Sequence, residues 1–371
     1  MLEMGRFVSA YSAHREWATR PPDECYDSVP ALHAAATRMA AASYELSTTP
    51  TSVVPQNAHT LTLGLPDGNR ASFSHWAFGQ LCATVSAPAH YLRTLPAHVT
   101  AQALNHALAL RARDRDPDNP SVLYLARSPR DDLLPEIRAL TSSRYARLLN
   151  MTITGRVLEW LDRSPSWRLP SADGPDGRQI PSGAYLGDRD MFLFLVDEDR
   201  RIDDPSDPSG QGLARGFMLR NSEVGAASLT VDAFLHRYVC GNRLIVGFQH
   251  LVGLRLRHVG TRPESWADVL PTLIRSLQSD ATQEQLLLSR ASRREIGGTR
   301  DAVVSALVQQ WFTRRQAADA YTLAERHETQ TNPRSVWGLV QGVTRLAQQA
   351  SHQDARYELD RLAAGLLRAA A

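Results

Sequence analysis

Three carboxylates in the run LGDRDMFLFLVDEDRR are candidate magnesium ligands: Asp188, Asp190 and Asp197. Magnesium takes oxygen ligands, and metal-bound water is the nucleophile of many nucleases. The downstream Glu-x-Lys that usually follows such an aspartate is absent, because the chain contains no lysine. Charge runs of this kind are also typical of solvated strand ends. A magnesium-dependent nuclease is therefore an alternative function and not the leading one.

Four side chains between residues 236 and 258 are of the types that zinc prefers: His236, Cys240, His250 and His258. Structural zinc sites show short paired spacings, and only His236 and Cys240 form a close pair here. A nucleophilic Cys240 would need one of the histidines as its base, and neither GxSxG nor HExxH occurs in the chain. We therefore predict that Cys240 is a packed side chain beside a turn at Gly241 and Asn242, and we expect neither metal nor cofactor.

Arginine is the only strongly basic side chain in this protein. All 41 residues counted as lysine or arginine are arginine. Without lysine the chain cannot carry out P-loop, kinase-type or pyridoxal chemistry. The guanidinium group grips phosphate in two places and stacks on bases, so any anion site must be built from arginine.

Basic residues alternate with aromatic ones in the central part of the chain, as a single-strand binder requires. Aromatic faces stack bases at about 1–3 kcal/mol each, and guanidiniums follow the phosphates. The predicted nucleic-acid-binding residues are Arg215, Arg220, Arg237, Tyr238, Arg243, Arg255, Arg257 and His258. The alternative is a sheet whose arginines pair with aspartates. The net charge of +2 favours that alternative for the whole molecule and leaves only a local basic patch.

Hydrophobic patterning in residues 1–163 predicts an N-terminal α+β region. The segment HTLTLGLPDGNRASFS alternates apolar and polar residues around a Pro-Asp-Gly-Asn turn, which predicts a β-hairpin. Apolar residues at helical spacing follow from Ser74, with Ser74 and Thr100 near the predicted helix starts. VLYLARS predicts a short strand, and residues 133–163 predict a helical run interrupted near Thr141.

The remainder of the chain divides into a loop, a strand-rich region and a helical region. Residues 164–183 are rich in Pro, Gly, Ser and Asp and predict a linker or a surface loop. Short apolar runs in residues 184–262 predict a mainly antiparallel sheet, including a strand at 230–240. Three amphipathic segments in residues 263–371 predict helices: SWADVLPTLIRSLQ (265–278), RDAVVSALVQQWFTRR and SVWGLVQGVTRLAQQA. The expected fold class is α+β: an N-terminal hairpin and helices, a central mainly antiparallel sheet and a helical C-terminal third, which could form one integrated domain.

Five collinear motifs between about Phe73 and Ala350 resemble the phage and plasmid family numbered 932 among the domains of unknown function. They are WAFGQLCATVSAPAHYLRTLP, IRALTSSRYARLLN, FMLRNSEVGAASLTVDAFLHRYVCGNRLIVG, LRLRHVG and SVWGLVQGVTRLAQ. The chain departs from the family at Arg243, where a small residue usually follows the Cys-Asn motif. The family has no established activity, so the resemblance implies a mobile-element, cytoplasmic context.

Cysteine content and hydropathy indicate the cellular compartment of the protein. Cys25, Cys82 and Cys240 are odd in number and form no CxxC pair, which favours a reducing compartment, and we expect a cytoplasmic protein. No signal-peptide core and no run of about 18 apolar residues occurs, so we expect no membrane partner.

The leading function is a non-enzymatic nucleic-acid-binding protein of a mobile element, which binds or anneals single-stranded DNA and forms homo-oligomers. A purely structural or protein-interaction role is the third alternative.

Overall fold

The computed structural model of the 371-residue chain describes residues 21–113, 121–127, 133–173, 179–181, 183–204, 207, 210, 212–237, 242–244, 254–256, 258, 282–327, 331–350 and 353–369. These residues form two large sheets, a small hairpin and a set of C-terminal helices. The predicted α+β class is confirmed, with helices in the C-terminal third.

A six-stranded sheet lies in the N-terminal region. Its strands are β2 (Ser43–Thr48), β3 (Val53–Pro55), β4 (Leu61–Gly64), β5 (Arg70–Phe73), β6 (Ser121–Ala126) and β7 (Glu136–Ser142), in the order β2-β6-β7-β5-β4-β3. All neighbours are antiparallel except β5 and β7. The β4–β5 hairpin is the predicted one, and Gly68 takes φ +84° in its turn.

The prediction of a helical run over residues 133–163 is wrong in its first half. Residues Glu136–Ser142 form β7, which pairs with β6 on one side and β5 on the other. Four successive residues from Ile137 to Leu140 are buried, because this strand is covered on both faces. Such a strand shows no alternation of apolar and polar residues, so its sequence could not be distinguished from a helix.

The residues described before Trp167 form five α-helices: α1 (Val29–Ala41), α2 (His75–Thr84), α3 (Ala89–Leu92), α4 (Ala97–Arg113) and α5 (Asn150–Leu161). The Ser74 hydroxyl caps α2 by accepting from the Ala77 amide at 3.1 Å, as its position predicts. Thr100 instead lies inside α4, where its hydroxyl donates to the Leu92 carbonyl. Helices α2 and α4 bury Leu81 and Leu104 against the six-stranded sheet.

The central sheet has eight antiparallel strands. They are β1 (Cys25–Tyr26), β8 (Trp167–Arg168), β11 (Ala184–Leu186), β12 (Met191–Ile202), β13 (Leu213–Asn221), β14 (Leu229–Arg237), β15 (Asn242–Leu244) and β16 (Leu254–Leu256). The main order is β1-β11-β12-β13-β14-β15, with β8 on β12 and β16 on β14. The strand predicted at 230–240 is present to Arg237, and residues 238–240 lie outside the described ranges.

The segment predicted as a linker or surface loop, 164–183, contributes to the core and to pairing. It contains β8 and a hairpin of β9 (Ser171–Asp173) with β10 (Gln179–Pro181). The Trp167 ring is buried, with its centroid 5.3 Å from that of Trp160 and 5.4 Å from that of Phe217. The polar composition of the segment therefore concealed a strand of the central sheet.

The C-terminal region contains α6 (Thr282–Arg293), α7 (Arg300–Gln309), α8 (Arg314–His327), α9 (Val336–Gln348) and α10 (Gln353–Arg368). Helix α9 is the most deeply buried, and Gly342 permits its close approach to α8, since a Cβ there would lie 2.1 Å from the Ala320 carbonyl oxygen. The Trp337 indole donates to the Asp204 carboxylate at 3.0 Å, which links α9 to the end of β12. The predicted helix at 265–278 lies outside the described ranges. None of the described helices has both the length and the apolar character needed to cross a bilayer.

Candidate nucleic-acid interface

The strand register divides the predicted sheet arginines between the two faces of the central sheet. Arg220 lies opposite Thr230, which also lies opposite Arg255, and Arg243 lies opposite His236. Opposed residues, and residues two apart along a strand, share a face. Positions 220, 243 and 255 therefore share one face, whereas Arg215 and Arg237 fall on the other face.

Arg215 lies in the interior, contrary to the expectation of an accessible sheet face. Its side chain is 2% exposed, and its Nη1 lies 3.5 Å from Glu284 Oε1 on α6. The opposite residue on β14, Leu235, belongs to the same core as the C-terminal helices. The helical region covers this part of the sheet, so Arg215 cannot follow a nucleic-acid backbone.

His258 is also buried, and its surroundings keep it uncharged. Its ring stacks on Tyr145 with centroids 5.0 Å apart, and its Nδ1 lies 3.2 Å from the Ala146 carbonyl oxygen. Burial lowers the pKa of His258, and the backbone hydrogen bonds only partly oppose this. A neutral buried imidazole is not a phosphate contact.

The other predicted binding residues are described to different extents. The Arg220 guanidinium is half-buried and lies 5.0 Å from the Phe192 ring centroid. Arg237, Arg243 and Arg255 are placed by strand register alone. Outside the described ranges lie Tyr238 and Arg257, together with the candidate zinc ligands Cys240 and His250.

The aspartates of the nuclease hypothesis are not brought together. Asp190 directly precedes β12 and Asp197 lies within it, and seven residues at about 3.3 Å each separate them by about 23 Å. Asp188 is exposed, whereas the other two are buried. No three histidine, cysteine, aspartate or glutamate side chains of the described residues form a group that could hold a metal ion.

A buried polar cluster, which sequence reasoning missed, joins the two large sheets. We call it the Glu223 cluster: Tyr124, Arg138, Arg147, Asn150 and Glu223. Glu223 Oε2 accepts from the Tyr124 hydroxyl at 3.2 Å and from Arg138 Nη1 at 3.3 Å. Its Oε1 accepts from the Asn150 backbone amide at 2.7 Å, at the start of α5. Glu223 follows β13, whereas Arg138 belongs to β7, so the cluster links the central sheet to the N-terminal one.

Arg147 completes the Glu223 cluster. Its Nη1 donates to the Glu223 backbone carbonyl and its Nε donates to Glu45 Oε1 at 2.7 Å. The guanidinium lies 4.0 Å from the Tyr124 ring centroid. Burial, together with the Glu223 charge, raises the pKa of Tyr124. The carboxylate of Glu223 accepts hydrogen bonds from three internal donors, so the cluster is a structural link between the two sheets. The only sequence signal was an acidic residue between Ser222 and Val224 in NSEVG.

The loop between α7 and α8 exposes a tryptophan that sequence reasoning assigned to a helix. Trp311 is 89% exposed and has φ +73°. The Phe312 amide donates to the Leu307 carbonyl and the Trp311 amide to the Val308 carbonyl, which is the Schellman ending of a helix. The predicted single amphipathic run RDAVVSALVQQWFTRR is therefore two helices with a turn at this tryptophan.

Charge in the C-terminal helical region is sorted between surface and interior. Among the side chains described from residue 282 onward, nine exposed arginines are Arg290, Arg293, Arg294, Arg300, Arg314, Arg315, Arg326, Arg361 and Arg368. Five carboxylates of the same set are exposed: Glu295, Asp301, Asp319, Glu325 and Glu358. Glu284 and Asp360 are buried. The exposed side chains described in this region therefore include more arginines than carboxylates, although the whole chain carries only +2.

Comparisons with protein-family models, with curated proteins and with solved structures found no match to this chain. The resemblance to the family numbered 932 therefore stays a prediction.

Proposed function

We propose that this protein is a non-enzymatic nucleic-acid-binding protein whose partner is single-stranded DNA. The observation that supports the proposal is the excess of exposed arginines over exposed carboxylates among the side chains described from residue 282 onward. Guanidiniums at the surface neutralise phosphates and release condensed counterions, which gives sequence-independent affinity. The family resemblance implies a mobile-element context, and strand binding or annealing by homo-oligomers is part of the same proposal.

The arrangement of the carboxylates supports the absence of catalysis in this proposal. The Asp190 and Asp197 carboxylates are too far apart along β12 to share one cation, and the Glu223 carboxylate accepts three internal hydrogen bonds. An interface that binds the phosphate backbone needs cations at the surface and no reaction centre. Positions 243 and 255 lie on the same face of the central sheet and remain proposed contacts beside those of the helices.

The salt dependence of binding tests the proposal directly. Fluorescence anisotropy of a labelled single-stranded oligonucleotide should show log affinity falling linearly with log salt, with a slope of about 0.7 per phosphate contact. Changing Arg314 and Arg315 together to glutamine removes two exposed cations and should lessen the slope by about 1.4. The control is Arg156→Gln on α5, an exposed arginine paired with Glu159, which should leave the slope unchanged.

A second pair of substitutions decides whether Arg243 and Arg255 of the central sheet take part in binding. Changing Arg243 and Arg255 to glutamine should lessen the slope by the same amount if both contact phosphate. An unchanged slope would confine binding to the helical region. If the wild-type protein shows no binding to single strands at low salt, the proposed function is wrong, and the protein-interaction alternative becomes the better one.

A further inference from the structure

We propose that Trp311, with Arg314 and Arg315, forms a site on which one unpaired nucleobase stacks. We call these three residues the Trp311 site. The inference rests on the proposed function and names the group that this part of the surface recognises. Three independent features carry it: the backbone conformation at Trp311, the exposure of its indole and the placement of the two arginines.

The backbone at Trp311 is one that favours glycine. Trp311 directly follows Gln310, the C-cap residue of α7, in the Schellman ending, and it has φ +73°. Glycine is usual there because it has no Cβ to clash in the left-handed conformation. A large side chain in this conformation is strained, and such residues gather at functional sites.

Packing does not account for the tryptophan. The next residue, Phe312, is buried in the same core as Leu307 and makes the apolar contact that fixes the turn. Trp311 instead leaves 89% of its surface accessible, beside Val308, which is 41% exposed. Trp311 therefore adds backbone strain and exposed apolar surface, and no contact among the described residues compensates for either. A ligand that covers the indole face would supply that contact.

The arginines of the Trp311 site lie where folding alone would disfavour them. Arg314 and Arg315 are the first two residues of α8, and the positive end of a helix disfavours cations. The first turn contains no acidic residue. Arg315 is 92% exposed, and its Nε lies 3.6 Å from the exposed Asp319 carboxylate, a pair that contributes little in water. A polyanion would relieve this concentration of positive charge.

The helix end itself is already satisfied by its own cap. The Thr313 amide donates to Gln316 Oε1 at 2.9 Å, and the Gln316 amide donates to Thr313 Oγ1 at 3.2 Å. This reciprocal pair is a capping box, so phosphate contacts would come from the two guanidiniums and not from the backbone amides. Cations within four residues of an exposed indole match the alternation of phosphate and base along a single strand.

A single strand fits the Trp311 site better than a duplex or an acidic peptide does. Stacking on an aromatic face needs an unpaired base, and bases in a duplex already stack on one another. An acidic peptide would satisfy the arginines and leave the indole uncovered. The ligand that uses both parts of the site is therefore a strand whose bases are free.

Anisotropy with three matched probes tests the Trp311 site. The probes are a labelled oligothymidine, an abasic strand of the same length and a duplex. Trp311→Gly should weaken oligothymidine binding about tenfold or more while the salt slope stays the same, because stacking releases no counterions. Trp311→Phe should retain part of the affinity. Tyr91→Ala removes an exposed aromatic residue of α3 and is the control, with no expected change.

The abasic strand and the duplex separate base stacking from phosphate contact. Both should bind to wild type and to Trp311→Gly with equal affinity, since neither offers an unpaired base. If oligothymidine also binds to Trp311→Gly as tightly as to wild type, the stacking site is wrong while the proposed function stands. If wild type binds no single strand at low salt, the proposed function is wrong, and this inference with it.

Discussion

Arg138 of β7 and Glu223 of the β13–β14 connection form an ion pair of 3.3 Å in which the side chains are only 5% and 1% exposed. Replacing a buried pair of this kind by apolar residues is often neutral, whereas removing one partner leaves an uncompensated buried charge. The pair stabilises the junction of the two sheets only as a complete unit. The backbone amide of Asn150 depends on the same carboxylate, so the start of α5 is part of that unit.

Glu223→Ala should therefore lower the free energy of unfolding by about 3–5 kcal/mol, because Arg138 would remain charged in the interior. Urea unfolding followed by circular dichroism measures the change. Glu159→Ala is the matched control, since it breaks the exposed Arg156–Glu159 pair and should cost less than about 1 kcal/mol. Changing Glu223 to leucine and Arg138 to methionine together should be less destabilising than Glu223→Ala. A loss as small as that of the control would contradict the role assigned to the pair.

Sequence patterns predicted best those elements whose shape is set by local chemistry. The β4–β5 hairpin follows from alternation on either side of a turn in which Gly68 takes a positive φ. The cap of α2 follows from Ser74, whose hydroxyl accepts from the third residue on. The strands β12 and β13 were recognisable because the apolar runs in this part of the chain are short, partly alternating and punctuated by glycine.

Contacts between residues far apart in the sequence determine the features that sequence patterns could not predict. Strand β7 is buried on both faces and has only three apolar residues, Ile137, Ala139 and Leu140, which are too few to define a period of two. Arg215 looked like an accessible cation on an alternating strand, and only the docking of α6 with Glu284 shows that it is interior. The partners of Glu223 come from positions far away along the chain, including Tyr124 and Arg138. No local motif contains such a cluster.

The pH dependence of stability should depend in part on His258. Burial lowers its pKa in the folded state, whereas the unfolded chain has the ordinary value of about 6.5. As the pH falls, the unfolded state therefore binds a proton at a higher pH than the folded state does. The contribution of His258 to the free energy of unfolding is fully present above about pH 6.5 and is lost as the pH falls below it. Thermal unfolding of His258→Asn between about pH 8 and pH 5.5 should show a smaller loss than wild type. His98→Asn, at an exposed position, should behave as wild type, and an unchanged slope in His258→Asn would contradict the prediction.

Magnesium should not make this protein a nuclease. The separation of Asp190 and Asp197 along β12 prevents both from holding one ion, so single-stranded and duplex DNA should remain intact with the purified protein and magnesium. Gel electrophoresis after incubation with magnesium or with a chelator measures this. Cleavage that needs magnesium and disappears in Asp188→Asn, a change at an exposed position, would restore the nuclease hypothesis.

Backbone strain at Trp311 should lower the free energy of unfolding of the wild-type protein, and a substitution that relieves the strain should raise it. Among the described residues other than glycine, only Ser86 and Trp311 have positive φ, at 56° and 73°. A left-handed residue other than glycine costs about 1–2 kcal/mol, and glycine loses about 0.5–1 kcal/mol more backbone entropy on folding. Trp311→Gly should therefore raise the free energy of unfolding by about 0.5–1 kcal/mol in urea.

Ser86→Gly is the matched control for Trp311→Gly, because Ser86 ends α2 with the same hydrogen bonds: its amide donates to the Ala83 carbonyl and the Ala87 amide to the Cys82 carbonyl. Both variants should gain stability by a similar amount, but only Trp311→Gly should lose affinity for oligothymidine. If both variants gain the same stability and only Trp311→Gly binds oligothymidine less tightly, the loss of affinity comes from the missing indole and not from the relief of strain. If Trp311→Gly is instead less stable than wild type, the indole contributes to folding, and its exposure is no longer an argument for a ligand.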